Sequence, residues 1–205
     1  LTFLLGVFAS PLFSDEASKE VMVITVNGVI NPVSSEYIGK SIKKASNKRV
    51  EALVIELDTP GGLDTSMRSI VKEIVGSEIP VVVFVAPGGA RAASAGVFIT
   101  LAAHISAMAP GTNIGAAHPV AIGEKMDKTM AEKATNDAAA YIKSLADRQG
   151  RNAVWAENAV RKSISATENE ALKERVIDLV TKDINSLLSD IDGKKVRTAS
   201  SEKVL

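Results

Sequence analysis

The sequence predicts an α/β domain built on a parallel sheet. Three observations carry this. Short β-branched runs alternate with stretches of helical periodicity through the middle of the chain. The run ALVIELD at 52–58 is almost continuously apolar, as strands are when helices cover both faces of a sheet. Gly/Pro-rich turns follow two of the apolar runs, at the carboxyl ends where such sheets place their ligands. Right-handed crossovers then connect the strands.

The elements follow in order. VMVITV (21–26) is a strand by its β-branched content. A helix over 32–47 starts at Pro32 and brings Tyr37, Ile38, Ile42 and Ala45 near one face. The strand 52–58 comes next, then the turn Thr59-Pro60-Gly61-Gly62. A helix over 63–75 has Met67, Ile70, Val71 and Ile74 as its stripe. Pro80 introduces the strand VVVFVA (81–86), and PGGARAA leads into a small-residue helix over 94–103. ISAMAP (105–110) is a short strand, and 111–128 is loop-rich. Two helices are expected over 129–148 and 152–161. Thr167 and Glu170 form a capping box before a short helix, and RVIDLV (175–180) is a last strand. Asp192-Gly193 marks a turn, so the polar stretch after it is expected as a small hairpin or a frayed tail.

Composition narrows the chemistry. The 205 residues suit one domain with a proper core, 46% being apolar and 23% charged. Lys plus Arg and Asp plus Glu each number 24, so there is no basic excess of the kind nucleic acid requires. There is no Cys, which excludes disulfides, a thiol nucleophile and Cys-ligated metals. The two His, His104 and His118, rule out a His-rich metal site. Neither a metal nor an organic cofactor is called for. The first 14 residues are uncharged and too short to cross a membrane. Residues 1–18 are expected as a signal-peptide remnant or flexible N-terminus, 19–190 as the folded domain, and 191–205 as the polar hairpin or tail.

Two turns stand out for chemistry. In 58–62, DTPGG, the two glycines leave backbone N–H groups uncovered at a helix start, a natural place for an anion or oxyanion. It lacks the Gly-Lys-Ser/Thr of a phosphate loop, and Pro-Gly-Gly is more commonly a structural turn. In 87–96, PGGARAASAG, Ser94 alone carries a hydroxyl among Ala and Gly where a helix begins. Small neighbours admit a substrate backbone, and the Ala95 N–H would face a developing charge. A helix N-cap is the commoner role of such a Ser. Together the turns supply a nucleophile and a two-donor oxyanion hole.

The segments LDTPGG (57–62), GGARAASAG (88–96), MAPGTNIGAAHPV (108–120) and EKATNDAAAYIKSLA (132–146) resemble the NfeD-like family of membrane-bound serine proteases. That family is related to signal peptide peptidase A and, more distantly, to the Clp protease subunit. The resemblance covers about 20–190. It implies the Clp/crotonase fold of stacked β-β-α units and a Ser–Lys dyad with Ser94 as nucleophile. It further implies an oxyanion hole from Gly61, Gly62 and Ala95. The family pattern puts the general base at Lys133. It also implies cleavage of hydrophobic peptide segments of membrane-associated proteins, a stomatin-like partner, and a homodimer or larger assembly. The full-length protein would be membrane-associated, with this domain on the extracytoplasmic side. The family's usual transmembrane helices and C-terminal β-barrel do not follow here, so the chain is expected to be a detached, soluble catalytic domain.

Helical geometry bears on the base. On a helix over 129–148, Met130, Ala134, Ala138, Tyr141 and Leu145 form an apolar stripe, with Lys133 beside it and Lys143 almost opposite. A lysine at that edge is a candidate for desolvation, since an amine with a reference pKa of about 10.4 must fall by roughly three units to act near neutrality. Otherwise Lys133 is a solvated helix charge. His118 is the rival base, 24 residues after Ser94 as in Clp-type pairs. Asn136, three residues from Lys133, is placed to support its amine. His104 reads as structural, Asp58 as orienting the first turn, and Arg91 as a substrate contact or an exposed charge. Shallow Ala/Gly walls beside Val97, Phe98 and Met108 suit an extended apolar peptide, added at an edge strand. A crotonase-type acyl-CoA enzyme and a non-catalytic scaffold for hydrophobic segments are the competing readings.

Overall fold

The computed structural model describes residues 20–120 and 127–205. The expected signal remnant at 1–18 lies outside them. The chain runs β1 (Val21–Asn27), α1 (Pro32–Lys48), β2 (Ala52–Asp58), α2 (Asp64–Val75), β3 (Val81–Val85), β4 (Arg91–Ala93) and α3 (Ala95–Ala102). It continues through β5 (Ile105–Met108), β6 (Asn113–Gly115), α4 (Lys128–Arg148), α5 (Ala153–Arg161), β7 (Ser165–Thr167) and α6 (Glu168–Lys173). It closes with β8 (Leu179–Val180), α7 (Ile184–Ile191), β9 (Lys195–Arg197) and β10 (Glu202–Val204).

The main sheet is parallel, in the order β1-β2-β3-β5-β8. Each of its first four strands is followed by a short extended segment and then a helix. The short segments pair with one another in the same order. Ile30 bridges Gly62, Thr59 bridges Ala92 of β4, and β4 pairs in parallel with β6. β7 closes this second layer antiparallel to β6. The result is a stack of β-β-α units, the Clp-like fold.

Alternation along the buried strands assigns the two faces. Leu53, Ile55 and Leu57 of β2, with Val81, Val83 and Val85 of β3, pack under α1 to α5. Ala52, Val54, Val82 and Phe84 point the other way, onto Leu187 and Ile191 of α7, Val196 of β9 and Leu205. Each fully buried Val, Leu, Ile or Phe on these faces contributes roughly 1.5–3 kcal/mol. Capping follows the sequence signals. Asn31 and Ser34 form a capping box at α1, Pro32 occupies its first turn, and Thr167 and Glu170 form the second box at α6.

Several expectations change. β4 and β6 are strands where a turn and a loop are expected. Of the run 175–180, only Leu179 and Val180 join the sheet, while Val176 and Ile177 are buried in the turn leaving α6, which Arg175 enters at φ 56. The segment 184–191, which carries no expected element, is α7, capped by the Asp183 carboxylate accepting from Ser186 N. The polar stretch after Asp192 folds as the β9–β10 hairpin. Part of the loop-rich segment, 121–126, lies outside the described residues.

Candidate active site

Ser94 links β4 to α3 and is half-buried, with φ 51 and ψ −112. This conformation is costly for a residue with a Cβ, of the order of 1–3 kcal/mol, and such strain gathers at functional sites. Its surroundings impose it. Ser94 N–H donates to Gly115 O at 3.1 Å and Ser94 O accepts from Val97 N at 3.0 Å. Ser94 caps nothing with its side chain, so the N-cap hydrogen bond that would explain it structurally is absent. α3 behind it is buried along its whole length.

The turn at 59–62 abuts this serine. A Cβ on Gly61, whose φ is +115, would lie 2.6 Å from Ser94 Cβ and 3.1 Å from Oγ. A Cβ on Gly62 would lie 2.0 Å from Ile30 O. Glycine is thus a steric requirement at both positions. The expected donors separate here. Gly61 N–H donates to Thr59 Oγ1 at 3.0 Å, so it is already engaged, and Gly61 O accepts from Ile30 N at 2.8 Å. The N–H groups of Gly62 and Ala95 have no hydrogen-bond partner among the described residues. Asp58 orients the turn, its Oδ1 accepting from Arg91 N at 3.0 Å. Arg91 itself is exposed.

Ser94, Ala95 and Gly62 open onto a cleft of about 330 Å³. Leu63, Met67, Phe98, Ala117, Pro119, Val120 and Ala138 make its apolar wall, and Asp64 its polar rim. A larger groove, about 520 Å³ between α1 and α2, is lined mainly by Ser, Thr, Lys and Glu residues and holds none of these groups. The cleft is shaped to hold an apolar side chain beside a hydroxyl and two free N–H groups, the arrangement acyl transfer needs. The strands beside Ser94 are paired on both sides, β4 with Thr59 and with β6, so among the described residues no free edge adjoins the serine.

The other predicted residues are placed differently. Lys133 is exposed on α4 and does not line the cleft. The buried face of α4 comprises Ala138, Ala139, Ile142, Leu145 and Ala146, all beyond Lys133, and Met130 is 53% exposed. Asn136 does not support Lys133; its Oδ1 accepts from Arg161 Nη1 at 2.8 Å. His118 is turned to α5, with Nδ1 2.9 Å from Val160 O, and is not in the cleft wall. His104 is structural. Its Nδ1 accepts from Val81 N at 3.0 Å, and burial, with Arg148 and Arg151 nearby, lowers its pKa to about 4.

A charged cluster beside the cleft escapes the sequence reading. Arg68 of α2 donates through Nε to Asp64 Oδ2 at 2.8 Å and through Nη2 to Asp137 of α4. Its guanidinium lies over the Tyr141 ring, 4.5 Å from the centroid, and Tyr141 stacks on Phe98 at 6.0 Å. Burial works against the Arg68 charge, but the carboxylates of Asp64 and Asp137 outweigh it and raise its pKa. The i,i+4 spacing of Asp64 and Arg68 is visible in the sequence. The Asp137 partner, 69 residues away, is not.

The family model described as the N-terminal domain of NfeD1b matches residues 20–190. The chain is 44% identical over 192 residues to the membrane-bound protease PH1510 of Pyrococcus horikoshii, covering 92% of this chain and 43% of that protein. It therefore spans less than half of that relative's length. Two solved structures are described as the 1510-N membrane-bound stomatin-specific protease. One, a lysine-to-alanine mutant in complex with a substrate peptide, superposes with a TM-score of 0.86 at 41% identity, covering 92% of this chain and 88% of that one. The other, a serine-to-alanine mutant, gives 0.82 at 41% identity, covering 90% and 91%. ClpP1 from Listeria monocytogenes gives 0.66 at 20% identity over 80% of this chain and 94% of that one, a likeness of fold.

Proposed function

This chain belongs to the family of NfeD1b N-terminal domains, and we propose that it is the peptidase domain of a membrane-bound serine endopeptidase. The observation that carries the reading is Ser94, held in a strained turn at an apolar cleft between the free N–H groups of Gly62 and Ala95. Ser94 Oγ attacks the scissile carbonyl as Lys133 takes its proton. Gly62 and Ala95 donate to the oxyanion, and Gly61 serves by its lack of a side chain. The tetrahedral intermediate collapses as Lys133 passes the proton to the leaving amine. Water, deprotonated by the Lys133 amine, then attacks the Ser94 ester, and Lys133 returns that proton to Ser94 Oγ as the carboxyl product leaves.

Solved forms of the relative include a serine-to-alanine and a lysine-to-alanine mutant, which supports a working pair of these two residue types. The first turns of α4 hold no fully buried residue before Ala138. In this reading they close over a bound peptide and carry Lys133 to Ser94. The apolar cleft takes hydrophobic segments of membrane-associated proteins, and the relative's specificity for a stomatin homologue supports a stomatin-like partner. Among the described residues no helix is long and apolar enough to cross a membrane. Membrane attachment, the extracytoplasmic side and a homodimer or larger assembly belong to the same proposal for the full-length protein.

Hydrolysis of quenched apolar peptides, stomatin-derived sequences included, tests this across a range of pH. Wild type and His118→Ala are expected to cleave, and Ser94→Ala and Lys133→Ala to fail. An active Lys133→Ala with a dead His118→Ala would replace the dyad by a Ser–His pair. Peptide binding that survives Ser94→Ala, with no product from wild type, would make the domain a scaffold.

A further inference from the structure

Lys133 and Asp137 stand four residues apart on α4, the spacing at which helix charges meet. A carboxylate held against an amine favours the protonated form, which is the wrong form for a general base. The structure keeps this pair apart. Asp137 is bound by Arg68 from α2, and no ion pair joins it to Lys133 among the described residues. Arg68 is fixed at the same time by Asp64 and by the Tyr141 ring, so its guanidinium is well placed to retain Asp137.

Among the described residues, the remaining charges around this stretch of α4 do not replace Asp137. Glu132 neighbours Lys133 in sequence and projects about 100° round the helix. From α5, Arg161 is held by Glu157 and by Asn136, both at 2.8 Å, and Glu157 also faces Lys143 at 3.6 Å. From α2, Asp64 is paired with Arg68. α3 carries no charged residue.

We propose that Arg68 is a positioning residue whose task is to hold Asp137 off Lys133, leaving the lysine amine without a counter-ion among the described residues. The functional consequence rests on the reading of Lys133 as the base. Removing Arg68 releases Asp137 to its helical neighbour and makes Lys133 harder to deprotonate.

The test is competitive acetylation of Lys133 in the whole chain, followed by peptide mass spectrometry across pH, which needs no substrate. Arg68→Gln is expected to slow labelling of Lys133 about two-fold at fixed pH, the size of an i,i+4 ion pair. The double variant Arg68→Gln/Asp137→Asn returns it to the wild-type rate, and Asp137→Asn alone leaves it unchanged. In peptide hydrolysis, the acidic limb of the kcat/KM profile moves to higher pH in Arg68→Gln and returns in the double variant. A purely structural role would lower activity at every pH without that return. Unchanged labelling in a folded Arg68→Gln, equal slowing in the double variant, or faster labelling in Asp137→Asn alone would overturn the proposal. Should Arg68→Gln fail to fold, the last comparison still decides it. If Lys133→Ala remains active, the base assignment fails while the labelling result stands on its own.

Discussion

Replacing Gly61 by Ala separates two costs that usually come together. Gly28 and Gly61 share a φ of +115, but a Cβ on Gly28 meets nothing within 4 Å, whereas one on Gly61 meets Ser94 Cβ at 2.6 Å. Gly28→Ala therefore reports backbone strain alone, about 1–3 kcal/mol. Gly61→Ala adds an overlap with the Ser94 side chain, whose backbone is anchored on Gly115 O and Val97 N, about another 1–3 kcal/mol. At 2–4 °C per kcal/mol for a domain of this size, Gly28→Ala is expected to lower Tm by roughly 4–8 °C, and Gly61→Ala by roughly twice that. Activity divides more sharply. Relief of the overlap shifts Ser94 Oγ, and a displacement near 1 Å costs about 100-fold in rate. Gly28→Ala should cleave nearly as wild type. Thermal melts and kcat/KM on one apolar peptide give both readouts. Equal melting temperatures with equal rates for the two variants would show that the turn at 59–62 does not press on Ser94, and would remove it from the site.

Three further outcomes follow from the same contacts. Ser94→Gly relieves a positive φ, so the inactive variant should melt about 2–4 °C above wild type, a gain of about 1 kcal/mol; a lower Tm would contradict the strain. His104 is buried neutral with its pKa lowered to about 4 from 6.5, so the unfolded chain binds the extra proton between those values. Its contribution, about 3 kcal/mol, is complete above pH 6.5 and lost as pH falls towards 4. Urea midpoints for wild type should drop over that interval and those of His104→Gln should drop less. Arg151, 2% exposed at its side chain, donates to Leu101 O at 2.7 Å, Ala103 O at 2.9 Å and Asp178 Oδ2 at 2.6 Å. Arg151→Met takes this donor from Leu101 O and Ala103 O and leaves the Asp178 carboxylate with Ser106 alone and no counter-charge, and is expected to cost about 3–5 kcal/mol in urea unfolding, with m unchanged.

What the sequence discloses follows the range of the forces involved. β2 and α2 are legible because β-branched content, helical stripes and turn residues are all local. β4 and β6 are three residues each, too short to show a period, and exist because they pair with segments from other units. α7 is called into place by the far face of the sheet, where Val54, Val82 and Phe84 need a cover. The site divides the same way. The glycines and Ser94 announce themselves in the turns. The stripe argument leaves Lys133 exposed because the apolar face of α4 is only partly covered in its first turns, at Ala131, Ala134 and Thr135, and full burial among the described residues starts at Ala138. Asp137 is claimed by Arg68, a contact no spacing predicts.

The two halves of the site are therefore held by different kinds of energy. A serine at φ 51 persists only where its neighbours over-determine it. Here they do: Gly115 O takes its N–H, Gly61 leaves it room, Asp58 fixes the strand before it, and α3 is buried throughout. Gly115 itself has no room for a Cβ, which would fall 2.4 Å from Ile164 O, so the anchor of the anchor is rigid as well. In the proposed mechanism the nucleophile Ser94 and its N–H donors, Gly62 and Ala95, are thus pre-organised before substrate binds, as transition-state stabilisation requires. The first turns of α4 have no comparable hold; Arg68 to Asp137 is their one cross-element ion pair among the described residues. A single exposed pair is worth about 0.2–1 kcal/mol, less than one well-buried apolar side chain contributes. A peptide side chain that covers the cleft and the exposed Val120 in its wall thus commands enough energy to swing the turns of α4 that precede Asp137, with the Arg68 pair kept, and not enough to move Ser94.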